Sequence, residues 1–186
     1  MPRNATEESL SVPEKRMDWA IFLRGANVGG ARVFKPAAFA CGLGVENIGA
    51  AGTFVARNRS SAAAVKKEFA DALPFETEII VIAAADIAAL VKRDPFRKLP
   101  ARSKPVVTIL VGKPKSTCRF PFDRPAGPKW EVRLFGIDGP FVPGCYRVFG
   151  RLGHYPNEIV ETALGVPATT RGWSTLLKVQ STLLSG

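Results

Sequence analysis

Between residues 17 and 93 the apolar positions run in the order strand, helix, strand, strand, helix, strand, and this succession constrains the fold more than any other feature. Residues 19–23 are apolar on both faces, as in a strand covered on two sides. In residues 33–43, Phe34, Ala37, Ala38 and Cys41 recur at helical spacing, and Gly42 and Gly44 supply the stop. Residues 45–48 and 53–57 read as two short strands around the turn Gly49-Ala-Ala-Gly52. In SSAAAVKKEFADAL, Ser60 or Ser61 can cap a helix whose stripe is Ala62, Val65, Phe69, Ala72 and Leu73, while Lys66, Lys67 and Asp71 face water. Residues 77–82 form a β-branched run, and residues 84–93 a short helix bearing Ile87, Leu90 and Val91 that closes before Pro95. The order predicts an α+β protein that begins with a ferredoxin-like β-α-β-β-α-β unit over residues 17–96, an antiparallel sheet with both helices on one side. A final helix leads out of that unit.

The remainder is patterned less clearly. Residues 97–105, RKLPARSKP, read as a basic linker or an exposed loop. Residues 106–111 form a buried strand, and from 113 to 128 the pattern is lost among prolines and charges. Residues 130–135 and 146–151 alternate as two strands joined by a Gly/Pro-rich loop at 138–144. Residues 157–164 are helical, and a last helix over 170–184 carries the stripe Trp173, Leu176, Leu177 and Leu184. Residues 106–186 are therefore expected to make a smaller α+β half, too different in sequence to read as a repeat of the first. Residues 1–16 are polar and without periodicity, as in a flexible extension.

At 186 residues the chain can bury roughly 70% of the surface that its unfolded state exposes, so its core needs no disulfides. Cys41, Cys118 and Cys145 are far apart and in no C-x-x-C spacing, which fits thiols in a reducing compartment and makes the cytoplasm the expected location. No segment approaches the ~18 consecutive apolar residues of a membrane span, and no membrane partner is expected. Charge is distributed unevenly: residues 17–95 hold nine basic and eight acidic side chains, residues 96–186 fourteen and five. A patch of one sign concentrates phosphate-bearing molecules, so an anionic partner is expected, either nucleic acid or a small anionic ligand.

The chemistry-bearing stretch is FLRGANVGG, where Arg24 ends an apolar strand and Gly25, Gly29 and Gly30 surround Asn27. Such bare backbone is either a tight turn or a cradle. It is not a P-loop, because Ala31 and Arg32 stand where lysine and a hydroxyl are needed, and Asn27 breaks the dinucleotide fingerprint. An arginine ending a buried strand needs a partner or a cleft. Near the other end of the chain, Thr169-Thr170-Arg171 precedes the expected last helix, where hydroxyls can cap the first turn and free N–H groups accept an anion. Arg24, Gly25, Asn27, Gly29, Gly30, Thr170 and Arg171 are therefore the expected anion-binding set.

For nucleic acid, Arg133 and Phe135 share a face of one predicted strand, and Arg147, Phe149 and Arg151 share a face of the next, the arrangement that stacks bases and holds phosphates. Lys104, Lys113 and Lys115 add sequence-independent charge. His154 is the only histidine and has no acidic or cysteine neighbour at metal-ligand spacing, and no serine or cysteine lies in a nucleophile motif. No metal, cofactor or reaction type follows from these residues. Backbone phosphates of nucleic acid are the first expected ligand, and a small anionic metabolite between the LRGANVGG loop and the TTRGW helix start is the alternative.

Three blocks, LRGANVGG (23–30), DPF (94–96) and YPNEIVETALGVPATTRGWSTLLK (155–178), resemble the signature of the bacterial domain of unknown function 1697 family. The resemblance covers about residues 17–184 and implies an α/β fold with a ferredoxin-like part, without implying an activity. It also implies weakened polar positions, since the family pattern carries asparagine where this chain has Gly172 and Ser174, and Ser-Gly-Asn where it has Ala51-Gly52-Thr53.

Overall fold

The computed structural model describes residues 16–27, 30, 32–148 and 153–185. The expected extension, apart from Arg16, lies outside this set, as do Gly29, Phe149 and Arg151. The first unit consists of β1 (Met17–Leu23), α1 (Pro36–Leu43), β2 (Glu46–Gly49), β3 (Thr53–Arg59), α2 (Ala62–Ala72), β4 (Ile79–Ala83) and α3 (Ala84–Arg93). Because residues 19–23 are apolar on both faces, β1 can sit centrally: it pairs antiparallel with β3 and β4, and the order β2-β3-β1-β4 is that of a ferredoxin-like sheet. Both α1 and α2 cover one face, where Trp19, Ile21 and Leu23 meet Ala40, Val65 and Phe69. Rings of Phe34, Phe39, Phe54 and Phe69 pack there at edge-on or tilted angles, with Phe39 and Phe69 centroids 5.5 Å apart. The Ser61 side chain caps α2 by accepting the Ala64 N–H at 3.1 Å.

The second unit consists of β5 (Lys104–Leu110), β6 (Phe122–Arg124), β7 (Val132–Leu134), β8 (Phe141–Tyr146), α4 (Pro156–Leu164), β9 (Ala168–Gly172) and α5 (Trp173–Leu184). Its sheet runs β6-β7-β8-β5-β9. Without β6, that is the order of the first sheet with β5 in the place of β1. The register agrees: β4 residues 79–83 pair with β1 as β9 residues 168–172 pair with β5. In both units the last strand passes into a helix without a loop. The second half therefore repeats the topology of the first, contrary to the sequence reading, with residues 111–131 standing where α1 does.

Three local expectations also change. The strand expected at 146–151 is β8, and the expected 138–144 loop contains most of it, including Pro143 and Gly144. β7 ends at Leu134, opposite Gly144, so the missing N–H of Pro143 falls just beyond the partner strand. The start of the expected last helix is instead β9, with α5 beginning only at Trp173. Residues 97–105 are an exposed loop of short turns and the first residues of β5 rather than a linker, and Phe96 and Leu99 pack on the core.

That core is shared. Ala20, Phe22, Ile80 and Ile82 of the first sheet and Val107, Ile109 and Phe141 of the second enclose Ile87 and Leu90 of α3 and Leu176 and Val179 of α5. On the far side of the second sheet, α4 covers Leu110, Val132, Leu134 and Val142 with Val160 and Leu164. Among the described residues, no helix is long and apolar enough to cross a membrane.

Candidate functional site

The FLRGANVGG stretch leaves β1 as a pinned turn. Leu23 N–H donates to Gly52 O at 2.8 Å and Arg24 N–H to Glu78 O at 3.0 Å, which completes the ladder on both sides of β1. Gly25, Asn27 and Gly30 have φ of 69°, 55° and 77°, the left-handed backbone that glycine and asparagine tolerate. Asn27 ties the loop to the turn between β2 and β3, its Nδ2 donating to Ala50 O at 2.8 Å and its Oδ1 accepting Phe34 N–H at 3.0 Å.

Arg24 reaches across to the second unit. Its Nε donates to Glu161 Oε1 at 2.9 Å and to Ala168 O at 3.2 Å, and its Nη2 to Glu161 Oε2 at 3.1 Å. Glu161 Oε1 in turn accepts Ala168 N–H at 2.8 Å. This forked pair neutralises Arg24 and also satisfies both outward backbone groups of Ala168 at the edge of β9. The requirement that Arg24 find a partner pointed to a carboxylate, but nothing in the spacing indicated which one.

Arg171 is 7% exposed and holds the two units together. Its Nε donates to Thr53 Oγ1 at 2.8 Å, Nη1 to Thr169 Oγ1 at 2.7 Å and Thr170 O at 2.9 Å, and Nη2 to Leu23 O at 2.8 Å and Ala51 O at 2.7 Å. All five N–H groups are used, each on a neutral oxygen. Burial lowers its pKa to about 10, well above neutrality, so the guanidinium stays charged in the folded protein. Gly52 makes this geometry possible: its φ is 69° and an added Cβ would lie 2.9 Å from Leu23 Cβ.

Thr170 does not cap α5. Its Oγ1 lies 2.8 Å from Thr108 Oγ1 across the β5–β9 pair, and Gly172 precedes the helix without a side-chain cap. The two arginines nevertheless border one cleft of about 290 Å³ between the units, together with Gly25, Ala51, Asn157 and Thr169. Asn27 and Gly30 are not among its lining residues.

The expected nucleic-acid residues that lie among the described ones do not form one face. Arg133 is forked onto Asp123 at 2.7 Å, and the guanidiniums of Arg133 and Arg147 lie 4.5 and 3.6 Å from the Trp130 ring centre. Arg147 also donates to the carbonyls of Pro128 and Trp130. Phe135 packs inward, 6.0 Å from Phe96. Lys104 begins β5 while Lys113 and Lys115 follow its end, so a seven-residue strand, about 20 Å, separates them.

His154 Nδ1 lies 2.9 Å from Glu131 Oε2, and this hydrogen bond holds the Glu131 carboxyl below the usual range. Burial raises the thiols of Cys118 and Cys145, which keeps both protonated at neutral pH.

Fold and site together define an α+β protein of two ferredoxin-like units clamped by arginines across their seam. The fold is similar to that of a solved structure, the conserved bacterial protein SP0830 from Streptococcus pneumoniae, with a TM-score of 0.56 and 17% identity over 91% of this chain and 99% of that one. At that identity the likeness concerns the fold alone. No family model and no curated protein matches the chain.

Proposed function

We propose that the protein binds a small anionic metabolite in the seam cleft between its two units. The observation that carries this reading is the charge of Arg171, which is held by neutral oxygens only, so the cleft wall keeps a positive charge that no carboxylate cancels. Arg24 is balanced by Glu161 but keeps Nη1 without a partner among the described residues, available to a ligand oxygen. Arg171 then acts through its field and by holding the cleft walls, and Arg24 by direct contact. A volume of about 290 Å³ suits inorganic phosphate or a small phosphorylated or carboxylic acid. Of the three sequence blocks that resemble the domain of unknown function 1697 family, the first and the last border this cleft, the first through Arg24 and Gly25 and the last through Asn157 and residues 168–171. The reading extends to binding and names no reaction. With its unpaired thiols, such a protein would work in the cytoplasm.

A second reading, binding of nucleic-acid phosphates, is favoured by the row Arg124, Val132, Tyr146, Lys104 across one end of the second sheet, where both cations are exposed. Calorimetric titration with inorganic phosphate and thermal melts of wild type and Arg24→Ala separate the two. We expect phosphate to raise the melting temperature of wild type and to have little effect on Arg24→Ala. An equal response in both proteins, or none in either, refutes the cleft. Binding of a labelled single-stranded oligonucleotide that falls steeply between 50 and 200 mM salt and is lost in Lys104→Ala/Arg124→Ala supports the second reading instead.

A further inference from the structure

A sheet edge exposes a row of backbone donors and acceptors, and folded proteins protect such rows against pairing with other chains. Among the described residues the two sheets have four edge strands, β2, β4, β6 and β9. Three of them are blunted. β2 has four residues, an exposed Glu46 and a register shift between Asn47 and Gly49. β6 has three residues between Pro121 and Pro125 and carries Asp123 and Arg124. On β9, Glu161 and Arg24 take the outward N–H and C=O of Ala168, and Arg171 takes Thr170 O.

β4 is the topological counterpart of β9 and has no such cover among the described residues. Arg24 N–H donates to Glu78 O while Leu23 N–H turns to Gly52, so the antiparallel alternation directs the N–H and C=O groups of Ile79 and Val81 outward. No described residue bonds to them. The strand reads Ile79, Ile80, Val81, Ile82, without a charge or a proline. A groove of about 570 Å³ runs along this edge, between the start of α2 and the turn after β5. Among the described residues its charged lining consists of the exposed Lys66 and Lys113, on opposite walls.

We infer that the edge of β4 takes up an extended acidic segment of a partner polypeptide as an added strand, with backbone hydrogen bonds to Ile79 and Val81 and carboxylates meeting Lys66 and Lys113. Backbone pairing supplies the register, the apolar groove accepts alternate side chains, and the two lysines select charge. The inference makes no use of the seam cleft or its arginines, and holds or fails independently of the proposed ligand.

The test follows backbone amides of the full chain by NMR while an acetylated, amidated hexapeptide alternating valine with aspartate is added to millimolar concentration. A lysine-for-aspartate peptide and an aspartate peptide N-methylated at alternate residues serve as controls. We expect the acidic peptide to shift and protect the Val81 amide, the lysine and N-methylated peptides to do neither, and Lys66→Glu/Lys113→Glu to bind the acidic peptide at least tenfold more weakly. Val81→Pro removes an outward donor while leaving the ladder to β1 intact, and should also abolish binding. No response at Val81, equal binding of the lysine or N-methylated peptide, or undiminished binding by the charge-reversed variant overturns the inference, and the surface variants decide it even if Val81→Pro fails to fold. Protection of Val81 that depends on protein concentration in the absence of peptide overturns it as well, because the occupant is then a second copy of this chain.

Discussion

Arg171 shows how a buried charge can organise a fold without an ionic partner. Removing it would strand the carbonyls of Leu23 and Ala51 and the hydroxyl of Thr53, each of which costs about 1–3 kcal/mol when left unsatisfied. Arg171→Met is therefore expected to lose on the order of 3–5 kcal/mol in urea unfolding monitored by circular dichroism. Arg171→Lys should recover only part of that, since an ammonium offers three donors where five are used. Full stability in Arg171→Met would show that the clamp is incidental. The sequence marked Arg24 because an arginine ending an apolar strand must be accounted for, and Arg171 because it stood at an expected helix start. It could not show that one faces a carboxylate and the other only neutral oxygens, because those oxygens are mostly backbone, which every residue carries.

At the scale of elements, α2 was the most legible, because its apolar stripe, its Ser61 cap and its polar outer face agree. Ser61→Ala should lower stability by about 1 kcal/mol, read as a shifted urea midpoint with an unchanged slope. An unchanged midpoint would mean that packing of Val65 and Phe69 alone holds the helix start. β8 and β9 were illegible for opposite reasons. Pro143 and Gly144 are loop-forming residues that β8 tolerates because β7 stops beside them. Thr169 and Thr170 have the chemistry of a helix cap, but they serve as strand residues once β5 offers a ladder. The pairing partner decides such cases, and a partner remote in sequence leaves no local trace.

At the scale of the molecule, the two units cannot be separated cheaply. The core around Ile87, Leu90, Leu176 and Val179 draws on both sheets, so splitting the chain at the basic stretch would expose Phe22, Ile82, Val107 and Ile109 together. Thermal unfolding should therefore be a single transition, with calorimetric and van't Hoff enthalpies in agreement. Two resolved transitions would mean that the units are independent. The sequence by itself determined the α+β class and the ferredoxin-like order of the first unit, because both follow from local period and from turn residues within reach of each other. Only the tertiary structure decided that the second half repeats the first, that Arg24 and Arg171 meet at one seam, and that among the described residues β9 is covered where β4 is open. Those outcomes depend on strand pairing and on contacts more than a hundred residues apart in the chain, such as Arg24 with Glu161 and Arg171 with Thr53. The physical reason is that a strand's neighbours and an arginine's acceptors are settled by closing long loops, and the free energy of that closure is carried by the assembled core rather than by any local stretch.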